Sequence, residues 1–155
     1  MYRANWVVNQ LQKKSFGQAE EVLAVEGDLQ VRVKLADWDR LGCLLEKLEV
    51  QGVNHHTLIL NPTHMEKEIN YLGEPLRVFE VDQTGGTVIL RSFPPRKNGE
   101  TLSFFEMVLD RSWGLSLVRL AYDHRLGKRT TLPAPLSRDT LERLLTDLVR
   151  LVSEN

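Results

Sequence analysis

Leu29-Gln-Val-Arg-Val-Lys-Leu-Ala-Asp-Trp-Asp-Arg-Leu-Gly-Cys-Leu-Leu-Glu-Lys-Leu-Glu-Val50 is the stretch on which the architecture turns. Its first half alternates. Val31, Val33 and Leu35 are apolar and Gln30, Arg32 and Lys34 between them are polar, the pattern of a strand with one wet face. Gly27-Asp28, preceded by the run Glu20–Val25, marks a hairpin turn in front of it. The second half changes period. Trp38, Leu41, Leu45 and Leu48 fall at helical spacing with Leu44 beside them, and Asp37 is a suitable N-cap. The reading is a strand followed by a helix over 38–50, with Trp38 as a core anchor.

A similar shape recurs near the C-terminus. Leu141, Leu144, Leu145 and Leu148 follow a cap at Ser137 in the phase of Leu41, Leu44, Leu45 and Leu48, and Asp139 matches Asp39. Leu136 is placed to pack on Leu141 as a hydrophobic staple, and this helix is expected to run to about Val152. Helical apolar periodicity accounts for most of the match. The alternative is a degenerate internal duplication of residues 20–50 and 115–152.

Between the two lies a longer strand-like region. Thr57–Leu60 reads as a short strand, and Asn61-Pro62 opens a shorter helix with Met65, Ile69 and Leu72 on its buried side and Gly73 at its end. From Leu76 the period is that of strands: Leu76–Asp82, Thr87–Phe93, Thr101–Leu109 and Leu115–Asp123, with Thr130–Leu132 as a candidate fifth. The gaps carry turn chemistry at Thr84-Gly85-Gly86, Pro94–Gly99, Asp110–Gly114 and His124–Arg129. Short connections favour antiparallel neighbours. Pro133 and Pro135 bracket an extended link, and residues 4–16 read as a short helix or an opening strand. The expected architecture is one α+β domain over 1–155, an antiparallel sheet meander packed against two main amphipathic helices and a shorter third.

A chain of 155 residues can bury about 68–70% of its extended surface, and a 42% hydrophobic content supplies the core. The net charge of −1 excludes a wholly basic nucleic-acid binder. The charge is unevenly spread. Residues 1–85 hold nine Lys/Arg against thirteen Asp/Glu, whereas residues 86–130 hold eight against four, which points to a basic edge on a near-neutral body. The single cysteine, Cys43, excludes an intramolecular disulfide and a cysteine zinc site. No apolar run has the form of a secretion signal or the length of a membrane span, so the expectation is a soluble, cytoplasmic protein with no membrane partner.

Familiar chemistry is sparse. His55, His56 and His64 lie near one another, and His64 with Glu68 has the i, i+4 spacing of two ligands on one helical face. Without a His-Glu-x-x-His motif the expectation is a surface contact rather than a metal site, and no cofactor is expected. Of the close carboxylate pairs, Glu26/Asp28 belongs to a turn and Asp37/Asp39 to the expected helix N-terminus. Thr84-Gly85-Gly86-Thr87 lies between strands, where it reads as a hairpin rather than a phosphate loop. No catalytic residue is assigned and the chain is read as a non-enzyme. An enzyme without a recognisable motif would require a deep pocket with convergent polar groups.

Binding residues are easier to nominate. Trp113 in the turn Asp110–Gly114, next to Arg111, suits a protein-partner hot spot. Arg77 with Phe79, Arg91 with Phe93, and Arg119, Lys128 and Arg129 interleave cations and aromatics as single-stranded nucleic-acid surfaces do. The competing expectation is that Phe79, Phe93, Phe104 and Phe105 are core, with the arginines snorkelling outward. The favoured function is a non-catalytic binding or adaptor protein that acts through protein–protein contacts or self-association, as a homo-oligomer or with a protein partner. The alternative is a single-stranded nucleic-acid-binding module built on a basic, aromatic-bearing sheet face.

The run Leu117-Val-Arg-Leu-Ala-Tyr-Asp123, the basic turn His124–Arg129, Thr130-Thr-Leu132 and the capped helix behind them repeat the end of the order seen at Leu29–Val50. In element order, over residues 20–50 and 76–152, the chain resembles the Whirly-type single-stranded-DNA-binding transcription regulators. The resemblance implies DNA- or RNA-binding ancestry. The lysine-glycine-lysine motif of that family is absent, so no binding residue is carried over.

Overall fold

A computed structural model describes residues 19–153. The described residues form ten strands: β1 Glu20–Glu26, β2 Leu29–Trp38, β3 Gly42–Gln51, β4 Leu76–Asp82, β5 Thr87–Ser92, β6 Arg96–Asn98, β7 Thr101–Asp110, β8 Gly114–Asp123, β9 Lys128–Thr131 and β10 Ala134–Ser137. A 3-10 turn, His55–Leu60, leads into the six-residue helix α1, Thr63–Glu68, and the chain closes with helix α2, Arg138–Ser153. The expected opening element at 4–16 lies outside the described residues.

All strand pairings are antiparallel, in the order β1-β2-β3-β8-β7-β5-β4. Three short strands extend this path: β10 pairs with β3, β6 with β7 and β9 with β8. The hairpin at Gly27-Asp28 and the strands at 76–82, 87–92, 101–110 and 114–123 are where alternation and turn chemistry put them. Pro94–Gly99 and the Pro133–Pro135 link are more ordered than expected, for they contain β6 and β10.

The helix expected over 38–50 is instead strand β3. Pairing steps from Lys34↔Lys47 to Leu35↔Leu45, so Glu46 is an extra residue in β3. Such a bulge reverses which residues face inward. Cys43 and Leu45 before it, and Leu48 and Val50 after it, are all buried. The three-residue step from Leu45 to Leu48 thus imitates a helix while belonging to a strand. Leu41, by contrast, is 83% exposed at the hairpin tip. Asp37 is a β2 residue rather than an N-cap. The turn is closed by Asp39, whose Oδ1 accepts the N–H groups of Leu41 (2.8 Å) and Gly42 (2.9 Å). The two leucine runs, alike in phase, adopt different conformations, and α2 is the one long helix among the described residues. The strand expected at Thr57–Leu60 is the 3-10 turn, and the helix expected from 62 to 72 is reduced to α1.

Among the described residues, one sheet face is covered by helix and the other carries none. Ser137 Oγ accepts the Thr140 N–H at 3.1 Å and caps α2, whose leucines are buried against the inner face with Val31, Val33, Leu48, Leu90, Met107 and Leu117. Register defines the outer face. Arg77 opposes Arg91, Arg91 opposes Glu106, and Glu106 opposes Val118. Two residues along, Phe104 opposes Leu120. Further along the same face, Lys97 opposes Leu102, Leu102 opposes Tyr122, and Tyr122 opposes Arg129.

Candidate functional site

The outer face carries a depression of about 380 Å³ beside β4 and β5. Arg77, Phe79, Arg91, Phe93, Pro95 and Phe104 line it. Phe79 is the extra residue of a second bulge, since pairing passes from Val78↔Leu90 directly to Glu80↔Ile89. Phe79, two residues from Arg77, is 59% exposed, and Phe93, just past the end of β5, is 63% exposed. Phe104 is buried and forms the floor. The expectation that all four phenylalanines are core holds for Phe105 and Phe104 and fails for Phe79 and Phe93.

The two arginines of the depression play different parts. Arg91 Nε donates to Glu106 Oε2 at 2.9 Å, and the Arg91 guanidinium lies 3.9 Å from the Phe79 ring centre and 5.0 Å from that of Phe104. It is a fixed part of the wall. Arg77 is looser. Its Nη1 donates to the Leu76 carbonyl at 3.0 Å and lies 3.9 Å from Glu66, and its side chain is 56% exposed. Glu66 also accepts the Val78 N–H at 2.9 Å, which ties α1 to the last strand of the sheet.

The other nominated residues are dispersed. Arg119 does not reach the outer face. It points into the core side of β8, where its Nη1 and Nη2 donate to Glu74 Oε1 (3.1 Å) and Oε2 (3.0 Å), and Nη2 also donates to Ser103 Oγ (3.0 Å). Its position two residues from Leu117 put it on that face, a signal legible in the alternation. Arg129 shares the outer face at the far end of β8, whereas Lys128 alternates to the other side. The pair Trp113 and Arg111 is also separated. Asp110 Oδ1 accepts the Ser112 and Trp113 N–H groups at 2.8 and 3.3 Å, and this turn lays Trp113 in a smaller hollow of about 210 Å³ with Gln30, Arg32 and Glu49. Arg111 does not line that hollow and packs over Gly86.

The histidines and the cysteine hold structure. His55 Nε2–H donates to the Arg111 carbonyl at 3.1 Å while Nδ1 accepts the Gly52 N–H at 3.3 Å. His64 lies 3.6 Å from Glu68, which also accepts from Arg150 Nη2 at 2.7 Å. Among the described residues no three His, Cys, Asp or Glu side chains are gathered as a metal ion would need. Cys43 borders a more open hollow at the β2–β3 turn, and burial, aided by the charge of Asp39, pushes its thiol up to about 11, well away from reactive thiolate. Thr84–Thr87 is a hairpin turn in which Asp82 accepts the Gly85 N–H at 2.9 Å. No helix among the described residues is long and apolar enough to cross a membrane.

No family model, no curated protein and no solved structure matches the chain.

Phe104, Pro95 and Glu106 were not nominated from sequence. Alternation along Thr101–Asp110 carries a signal for two of them: Phe104 and Glu106 fall on the face opposite Phe105, Met107 and Leu109. Nothing local shows that Pro95 folds back to the same place.

Proposed function

We propose that the protein is a non-catalytic binding protein that works through protein–protein contact at its outer sheet face. One observation carries this reading. Phe79 and Phe93 stand more than half exposed on either side of an apolar floor, with guanidinium groups beside them. Exposed aromatics and arginine around an apolar hollow are the composition of an interface centre. The test is capture of partners from nuclease-treated native lysate by the wild-type protein and by the double variant Phe79→Ser/Phe93→Ser. A specific partner retained by the wild type and lost by the variant supports the reading. Sedimentation velocity of the purified protein reports whether the partner is a second copy, since a concentration-dependent dimer abolished by the same variant identifies self-association. Equal capture by both proteins, with no such dimer, overturns it.

A second reading is favoured by the gathering of Arg77, Phe79, Arg91 and Phe93 in one depression, the cation–aromatic mixture that single-stranded nucleic acid uses. It requires a labelled oligonucleotide to bind at low salt with affinity that falls as salt rises. Absence of binding at low salt ends it.

A further inference from the structure

We infer that the Phe79–Phe93–Phe104 depression takes an acidic, aromatic-bearing segment of a partner protein, an apolar side chain entering between the phenylalanines and a neighbouring carboxylate meeting Arg77. This rests on the protein-contact reading above and names the chemistry of the partner.

Charge complementarity is the first argument. Two guanidinium groups line the depression and, among the described residues, no carboxylate does. Lys97, on the same sheet face, adds to that sign, whereas Arg96 alternates to the inner side near Glu74. An occupant of like charge would be repelled in a partly desolvated site, and a carboxylate would be held. The division of labour between the arginines says where. Arg91 is engaged by Glu106 at 2.9 Å and stacked on Phe79, so it shapes the wall. Arg77, more than half exposed and only loosely paired with Glu66, keeps donors of its fork for a carboxylate.

Size and polarity supply the second argument. The lining is mostly apolar, and about 380 Å³ accommodates one or two large side chains rather than a polymer backbone. A phosphodiester strand needs a succession of unspent cations along its path. Here Arg119 is withdrawn into the core and Arg91 is paired, while Lys97 and Arg129 lie in the row of Tyr122, outside the depression. One apolar group beside one anion matches what remains.

The test is selection of a displayed random-peptide library on the wild-type protein, with counter-selection on Phe79→Ser/Phe93→Ser. The recovered peptide is then measured by fluorescence anisotropy alongside its charge-reversed copy and a twelve-residue oligothymidylate competitor. The expected outcome is a consensus joining an aromatic or large aliphatic residue to Asp or Glu. Affinity should fall about tenfold on charge reversal of the peptide, and about tenfold in Arg77→Glu protein, with unchanged thermal unfolding. No enrichment, a neutral or basic consensus, indifference to Arg77→Glu, or displacement by the oligothymidylate each overturns the inference. A lysate partner that depends on Phe79 and Phe93 but lacks acidic preference overturns it while leaving the broader protein-contact reading in place.

Discussion

Arg119 shows how one residue can be read for its charge and prove to be architecture. The residue is 6% exposed and its guanidinium is bidentate on Glu74, which also accepts from Ser92 Oγ at 2.7 Å, while Ser92 Oγ in turn accepts the Phe105 N–H at 2.8 Å. The network pins the loop before β4 to the inner side of β5, β7 and β8. Removing one member strands the other, so Arg119→Leu should lower unfolding free energy by about 3–5 kcal/mol in urea titrations. A double replacement of Arg119 and Glu74 by leucine should recover a large part of that loss. Burial by itself would raise the Glu74 carboxyl, but hydrogen bonds from Arg119 and Ser92, with the Arg119 charge, outweigh it and hold the group below its ordinary 4.5. An acid depressed in the folded state contributes its stability above the unfolded-state value and loses it as pH falls through the folded one. Stability should therefore decline below about pH 4.5, and Glu74→Gln should show a flatter decline in the same acid titration, from a lower starting point at neutral pH.

At the scale of elements, the decisive event is the bulge at Glu46. Helix propensities differ among the residues of Leu41–Val50 by only about half a kcal/mol each, apart from about 1 kcal/mol against helix at Gly42, so tertiary pairing easily overrides them. β3 is paired with β2 on one edge and with β8 and β10 on the other, and no local pattern announces those distant partners. Close backbone approach enforces the arrangement. A Cβ on Gly42 would meet the Leu136 carbonyl at 2.6 Å, and one on Gly114, at φ +118°, would meet the Val50 carbonyl at 2.5 Å. Gly114→Ala should cost about 2–4 kcal/mol in chemical denaturation, because backbone strain and a collision with β3 act together. The meander from Leu76 to Asp123 was legible because, outside the bulge at Phe79, it keeps simple alternation and carries Gly and Asp at its turns. The segment 38–50 was not, because one inserted residue converts a two-residue period into an apparent helical one. The candidate site was half legible for the same reason. Arg77 with Phe79 and Arg91 with Phe93 follow from alternation, whereas Phe104 is recognisable as floor only once β5 and β7 are placed side by side.

Across the whole molecule the two faces of the sheet have separate tasks. The inner face, under α2, carries the stability, and the outer face carries exposed aromatic surface whose removal the core should scarcely notice. Phe79→Ser/Phe93→Ser is expected to change unfolding free energy by no more than about 1 kcal/mol, chiefly through the lost stacking on Arg91. The same variant should reduce the fluorescence of a hydrophobic dye bound to the native protein, and an undiminished signal would place the dye-binding surface elsewhere. The triple pairing of β3 has a further consequence during synthesis. Its second edge waits for β8, some sixty residues later, and for β10, some ninety residues later. In the emerging polypeptide that edge stays bare until β8, and then β10, have been made. Chaperone capture and premature degradation in the cell should therefore concentrate on nascent chains ending between residues 51 and 134.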